Sequence, residues 1–527
     1  MKRNTYALVS ALLGVFIGVM ACLICVRLAG PSKKFDGDYN RWRKLNLILE
    51  QVEENYVDTI DQKAMTDAAV MAALGKLDPH SVYLPPVELK ESETELAGNF
   101  DGIGIQFNVP NDTAIVLSVI PGGPSEKAGL LQGDRIIRVD DKVIAGMKTP
   151  QDSMVRLMKG PSGSKVKIVV NRDGEQIPFD ITRGKIPIHC VDAAFMIDAE
   201  TGYIKLAKFT RTTYVEFISA VSRLRAQGMN HLIFDLRENT GGYLDQAYML
   251  CNEFLEKGDK VVYMQGLHRS RSDLDADGKG TLKDVKLSVL IDEGSASSSE
   301  IFAGAMQDND RGVIIGRRSF GKGLVQEPIN FTDGSGLRLT VARFYTPSGR
   351  CIQKPYGDDY AYDIYERYAH GELTDADSIK VNRDDVYYTV GGRAVYGGGG
   401  IIPDIFVPMD TTRASTFYIQ CSKKATTMRF ASAMFDKYRS ELIQIDDFGQ
   451  LERWLDAHHL DRQFLDYAAA KDGLKPGPGE WKESEEYMMV QIKALVGRYS
   501  KVGEEAFYRF YIGIDKTLQE ALKTHAL

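Results

Sequence analysis

An apolar run, Leu287–Ile291, leads into Asp292-Glu293-Gly294-Ser295-Ala296-Ser297-Ser298-Ser299-Glu300, so several hydroxyls crowd the junction between a strand and a helical pattern. A helix start presents unpaired N–H groups and the positive end of the helix dipole. A serine placed there could attack a carbonyl while neighbouring amides hold the oxyanion. A plainer reading fits the same residues: Ser297-x-x-Glu300 is a capping box, with Ser297 as N-cap and Glu300 at N3. After the next strand, Gly316-Arg317-Arg318-Ser319-Phe320-Gly321-Lys322-Gly323 sets one lysine between two glycines, where the backbone can approach other groups closely. A solvated surface lysine is the ordinary alternative. The stretch nearly matches the phosphate loop G-x-x-x-x-G-K, but Gly323 stands where Ser or Thr must hold magnesium, which excludes nucleotide binding.

The elements that must position these groups are short strands alternating with helices. His231–Asp235, Leu287–Ile291 and Val313–Ile315 read as strands, with helical patterns through Leu255 and to about Gln307. This rhythm predicts βαβ crossovers and a largely parallel sheet between about Tyr203 and Tyr345. Ligands gather at the carboxyl ends of such strands. The turns after Asp235, Ile291 and Ile315 therefore converge, bringing together Gly241-Gly242, Ser297 and Lys322. None of these turns holds a histidine, which argues against a Ser-His-Asp triad. A lysine can replace histidine only when neutral, so burial must lower its pKa from about 10.4. Serine with lysine is a known nucleophile–base pair.

The rest of the chain frames this core. Its 527 residues are enough for about three domains. Lys+Arg 65 against Asp+Glu 72 leaves a net charge of −7 and no basic stretch to meet a nucleic acid. Tyr6 to Val26 is uncharged and can just cross a bilayer as a helix, which needs about 20 residues. It reads as a signal anchor or a secretory signal, with acylation at Cys22 a lesser option. Leu45, Ile48, Leu49, Val52 and Tyr56 form a helical stripe between Tyr39 and Val57, and a second helix is predicted over Asp67–Leu77. From about Phe100 to Arg183 short strands split by glycine predict a small β-rich domain. Lys354–Gly400, rich in Tyr, Asp and Gly, reads as an insertion. Beyond Pro408 the pattern is helical, with Phe430, Met434, Tyr438 and Leu442 four apart and Phe510, Ile514, Leu518 and Leu522 likewise. The scattered cysteines and histidines suggest neither a disulfide framework nor a metal site.

Together these residues make the sequence resemble the carboxyl-terminal processing (tail-specific) serine proteases. The resemblance rests on Asp78-Pro79-His80-Ser81-x-Tyr83-Leu84, Asp235-Leu236-Arg237-x-Asn239-x-Gly241-Gly242, Gly294–Glu300, Phe320-Gly321-Lys322-Gly323-x-x-Gln326 and Thr346-Pro347-Ser348-Gly349-Arg350, in family order from about Leu77 to Val407. It implies Ser297 as nucleophile, Lys322 as general base and Gln326 as the residue orienting the lysine. The oxyanion donors would be the amide of Ser298, where the family usually has alanine, and one from Gly241 or Gly242. The β-rich domain resembles a PDZ domain, with Gly102-Ile103-Gly104-Ile105 as the loop that receives a peptide carboxylate. An extended tail would add a strand to the domain's open edge.

The expected architecture is α/β and multi-domain: a signal segment (1–30), N-terminal helices (38–95), a PDZ-like domain (96–185), a Ser-Lys protease core (186–408, with the insertion at 354–400) and a helical region (409–527). The implied reaction is endoproteolysis near the C-terminus of exported proteins, through an acyl-enzyme and without a metal or organic cofactor. The expected partners are proteins with accessible C-terminal tails and, through the N-terminal segment, the membrane of a bacterial envelope with the enzyme facing the periplasm. Self-assembly or an adaptor protein stays open, and nucleic acid is not expected. Two rivals are a catalytically dead PDZ scaffold, which should have lost Ser297 or Lys322, and a serine hydrolase using one of the eight histidines.

Overall fold

Alternating apolar residues in His231–Asp235 and Lys286–Ile291 point to opposite faces, and both faces are covered. The structure, a computed structural model, describes residues 36–110, 112–357, 360–412 and 414–524. The apolar run Tyr6–Val26 and Cys22 lie outside the described residues. Among the described residues no helix is long and apolar enough to cross a membrane. The chain divides into two compact units, Met1–Leu77 and Asp78–Leu527.

In the first unit the helix Asp36–Asn55 leaves Leu45, Ile48 and Tyr56 of its predicted stripe exposed. The second helix runs Gln62–Leu74 rather than Asp67–Leu77. Asp61 starts it early by accepting from the Ala64 amide at 3.0 Å, and Gly75 ends it.

The second unit is built on a six-stranded sheet. Its order is Val191–Met196, Thr201–Leu206, His231–Asp235, Lys286–Ile291, Val313–Gly316 and Ile405–Phe406. The first pair is antiparallel and the remaining pairs are parallel, as the strand–helix rhythm predicts. One face packs on the helices Thr213–Ala226, Leu244–Phe254 and Ser298–Asp308 through Phe217, Phe234, Phe254 and Phe302. Each such fully buried ring contributes roughly 1.5–3 kcal/mol. The other face, with Tyr203, Ile233, Leu290 and Ile315, is covered by Leu518 and Ala521 from the end of the chain. A second, antiparallel sheet pairs Val82–Leu84, Gly336–Tyr345, Lys260–Gly266 and Arg269–Asp275, with Leu324–Asn330 beside Gly336–Tyr345.

The β-rich domain is an antiparallel sheet over Ile105–Thr182 with its own core, including Ile103, Val116, Met154 and Ile168. The ribbon Asn99–Gly102 with Gly184–Pro187 joins its entry and exit. The insertion carries a helix at Asp363–Ala369 and a hairpin of Val386–Tyr388 with Ala394–Tyr396. The C-terminal helices from Thr416 onward share a core around Phe417, Phe430, Phe435 and Phe464. They also hold the β-rich domain, where Asp436 pairs with Arg135 and Phe435 lies against Gly133. The spacing of Phe510, Ile514, Leu518 and Leu522 predicts one helix, but two form, Glu504–Tyr511 and Lys516–Thr524. Asp515 starts the second by accepting from the Leu518 amide at 3.1 Å.

Candidate active site

Four serines stand at the end of the Lys286–Ile291 strand, and their partners separate them. The Ser295 hydroxyl donates to the Leu236 carbonyl at 2.8 Å, Ser298 to the Gly242 carbonyl at 3.0 Å and Ser299 to the Asn239 carbonyl at 2.8 Å. All three are buried, whereas Ser297 is half-buried. Ser297 also has φ +55° and ψ −110°, a conformation that a non-glycine residue adopts only when its surroundings impose it. It is the N-cap of the Ser298–Asp308 helix with Glu300 at N3, so the capping reading is correct as far as it goes.

Glu300 does more than cap. Its buried carboxylate accepts from the Ser319 hydroxyl at 2.5 Å and the Gly321 amide at 2.7 Å on one oxygen, and from the Ser297 amide at 2.8 Å and the Lys322 amide at 2.9 Å on the other. Burial raises its pKa against the pull of these hydrogen bonds. The Ser297 and Lys322 nitrogens share one oxygen, so they lie no more than 5.7 Å apart, the sum of the two bonds. One carboxylate thus fastens the serine turn to the lysine loop.

The half-buried Lys322 amine donates to Gln326 Oε1 at 3.1 Å. The Gln326 amide in turn donates to the His80 carbonyl. His80 is fixed by Asp78, whose carboxylate accepts from the His80 and Ser81 amides at 2.8 and 2.9 Å and from the Ser81 hydroxyl at 2.6 Å. Burial, and then the positive charge of Arg338, lower the pKa of Lys322 below the usual lysine range, while Glu300 and Asp78 pull it back up. Among the described histidines, His80 is the one that meets this chain of bonds. Burial and then the charge of Lys322 push its pKa down to about 4, and its Nε2 lies 2.6 Å from the Tyr360 hydroxyl.

The two glycines differ in their surroundings. Gly241, at φ +93°, lies so close that an added Cβ would stand 2.8 Å from both Ser297 Cβ and the Ser298 nitrogen. Its own amide is donated to Asn239 Oδ1 at 2.9 Å. Gly242, at φ +147°, is an exposed residue with no room for a Cβ beside the Phe209 carbonyl, and its own carbonyl accepts from the Ser298 hydroxyl. The amide of Ser298 belongs to the first turn of its helix, where N–H groups have no intrahelical partner.

The insertion buttresses the lysine loop, a contact that composition could not reveal. Arg367 donates to the carbonyls of Arg318 and Ser319 at 2.7 and 3.1 Å. Glu372 accepts from both Arg318 and Arg367 at 2.6 to 2.8 Å. In the β-rich domain, Gly102-Ile103-Gly104-Ile105 links two strands with Gly104 at φ +78°. The Ile103 and Gly104 carbonyls accept from Ser125 and Ile120. Beside this loop a cleft of about 930 Å³ separates the helix Gln151–Met158 from the helix Pro86–Leu96, with Phe100, Val155 and Lys159 in its walls.

The model of peptidase family S41 matches residues 200–362, and that of the PDZ domain matches residues 102–182. The carboxy-terminal-processing protease of Bartonella bacilliformis is 36% identical over 347 residues, covering 64% of this chain and 78% of its own length. The chain belongs to the carboxy-terminal processing protease family. The protease CtpA of Bacillus subtilis is 32% identical over 328 residues, covering 62% of this chain and 70% of its own. The solved photosystem II D1 C-terminal processing protease is 28% identical, covering 70% of this chain and 86% of that one, with a TM-score of 0.36. As a member of family S41 the chain is a serine-type peptidase carrying a PDZ domain, with helices at both ends.

Proposed function

We propose that this carboxy-terminal processing protease cuts polypeptides near their C-termini with Ser297 as nucleophile and Lys322 as base. Ser297 Oγ attacks the scissile carbonyl carbon and its proton passes to the neutral Lys322 amine. The oxyanion rests on the amides of Ser298 and Gly242, chosen over Gly241 because the Gly241 amide is held by Asn239. The C–N bond breaks as the Lys322 ammonium gives its proton to the leaving amine. Water then attacks the ester on Ser297, again losing its proton to Lys322, which returns it to Ser297 Oγ as the C–O bond breaks and the acid product departs. Gln326 keeps the lysine aimed and is itself held by the His80 carbonyl. The observation that supports this reading is the commitment of the Ser295, Ser298 and Ser299 hydroxyls to backbone carbonyls, a commitment Ser297 does not share.

The PDZ domain would deliver the substrate by receiving its terminal carboxylate at Gly102–Ile105. Exported proteins are the proposed substrates, with the enzyme held in the bacterial envelope by Tyr6–Val26 and facing the periplasm. The test is cleavage of an unstructured, tailed polypeptide by the full chain beside Ser297→Ala and Lys322→Ala. Both variants should be inactive, and cleavage at the parent rate by either one sinks the assignment. Trimming the last residues of the substrate should slow the parent, and an unchanged rate removes the PDZ role.

A further inference from the structure

The loop Leu236–Gly242 faces two ways. Toward Ser297 it is bonded to the serine turn: the Leu236 carbonyl accepts from Ser295, the Glu238 amide donates to Asp292 at 2.8 Å, the Asn239 carbonyl accepts from the Ala296 amide at 3.0 Å, and the Gly242 carbonyl accepts from Ser298. A shift of this loop therefore moves Gly242 relative to Ser297. Toward the far face of the sheet it extends one side chain, Arg237.

The Arg237 guanidinium lies between two carboxylates from distant parts of the chain. It bonds Asp235 at 2.6 to 3.1 Å and Asp515 at 2.7 and 3.0 Å, the latter through two parallel N–H groups. Such bidentate pairs fix direction as well as distance, because the guanidinium fork is planar. Lys205 adds a second positive charge beside Asp235, standing 3.4 Å from it and donating to the Arg237 carbonyl. Asp515 is anchored in turn, since the helix it starts buries Leu518 and Ala521 against Ile233, Leu290 and Ile315.

A helix cap alone does not require this residue. Asn or Ser would cap as well as Asp, but only a carboxylate matches both arms of the arginine. We propose that Asp515 is a positioning residue for catalysis: by gripping Arg237 it sets the Arg237–Gly242 loop against Ser297, which makes the C-terminal helices part of the catalytic apparatus. This rests on the reading of Ser297 as nucleophile. It gives the helical region a task that its own sequence, bare of chemical motifs, does not disclose.

The cap and the grip can be separated by substitution. Asp515→Ser keeps a capping hydroxyl and removes the fork, and Asp515→Asn keeps a cap and removes the charge. Tyr508→Phe serves as a control, loosening the same helices from the same sheet by removing the Tyr508–Asp192 hydrogen bond of 3.1 Å. Two quantities are followed in the full chain: the rate at which a fluorophosphonate labels Ser297, and kcat and KM on a tailed peptide.

Asp515→Ser and Asp515→Asn should lower the labelling rate and kcat by about tenfold to a hundredfold, as small misplacements of catalytic groups do. KM should stay within about twofold, and Tyr508→Phe should match the parent. Parent-like labelling in both Asp515 variants, or an equal loss in Tyr508→Phe, overturns the proposal while leaving Ser297 in place. If Ser297→Ala is labelled as fast as the parent, the nucleophile assignment fails and this inference falls with it.

Discussion

Replacing Glu300 with glutamine tests whether one carboxylate holds the serine turn and the lysine loop together. The shape is kept, but one oxygen becomes an NH₂ group facing two donors. Turned one way, the NH₂ meets the Ser297 and Lys322 amides; turned the other, it meets the Gly321 amide and the Ser319 hydroxyl. The second is favoured because a hydroxyl can rotate, whereas an amide cannot. An orphaned buried donor costs about 1–3 kcal/mol, and each surviving bond, no longer charge-assisted, loses about 1 kcal/mol. Relief from burying a charge offsets part of this, as the raised pKa of Glu300 requires. The net loss should be about 2–4 kcal/mol, against about 1 kcal/mol for a capping role alone.

Urea unfolding of the parent and Glu300→Gln measures that difference, and kcat/KM against pH supplies a second readout. The negative charge of Glu300 raises the pKa of Lys322, so its removal should move the rising limb of activity to lower pH while lowering the plateau. A loss under about 1 kcal/mol with an unmoved limb would refute the reasoning and return Glu300 to a simple cap.

Other perturbations follow from the same contacts. Arg338 is the charge that most lowers the Lys322 pKa after burial, so Arg338→Gln should move the rising limb to higher pH; no movement, or the opposite sign, contradicts Lys322 as base. Glu372→Ala leaves Arg318 and Arg367 without their shared partner and should destabilise the protein by about 3–5 kcal/mol while loosening the lysine loop, read by thermal unfolding and turnover. Gly104→Ala forces a side chain at φ +78°, 2.9 Å from Ile186 Cδ1, and should weaken binding of a tail peptide by fluorescence anisotropy. The same variant should leave turnover of a short peptide lacking that tail near the parent rate.

What could be read from the sequence was what repeats locally. The apolar runs His231–Asp235, Leu287–Ile291 and Val313–Ile315 mark buried parallel strands, and parallel order brings the turns after them to one edge. That is enough to bring Gly241-Gly242, Ser297 and Lys322 together. It could not choose among four serines by spacing, because the choice lies in which carbonyl each hydroxyl meets across the turn. Nor could Glu300 show its second task, since three of its four donors come from Ser319, Gly321 and Lys322, about twenty residues away in sequence. The Tyr, Asp and Gly of the insertion are loop formers and give no sign that Arg367 and Glu372 fasten it to a loop about fifty positions earlier. The four-residue spacing of Phe510, Ile514, Leu518 and Leu522 runs unbroken through a helix boundary and does not disclose that Phe510 packs in the C-terminal helical core while Leu518 packs on the sheet.

The most direct measurement traps the intermediate. Turnover of a tailed peptide by the full chain, quenched in acid within one catalytic cycle, should leave the N-terminal fragment of the substrate esterified to Ser297, seen by mass spectrometry of the digested protein. The Lys322→Ala protein should accumulate no such ester. An adduct on another residue, or the same ester formed as fast without Lys322, would contradict attack by Ser297 through a neutral lysine.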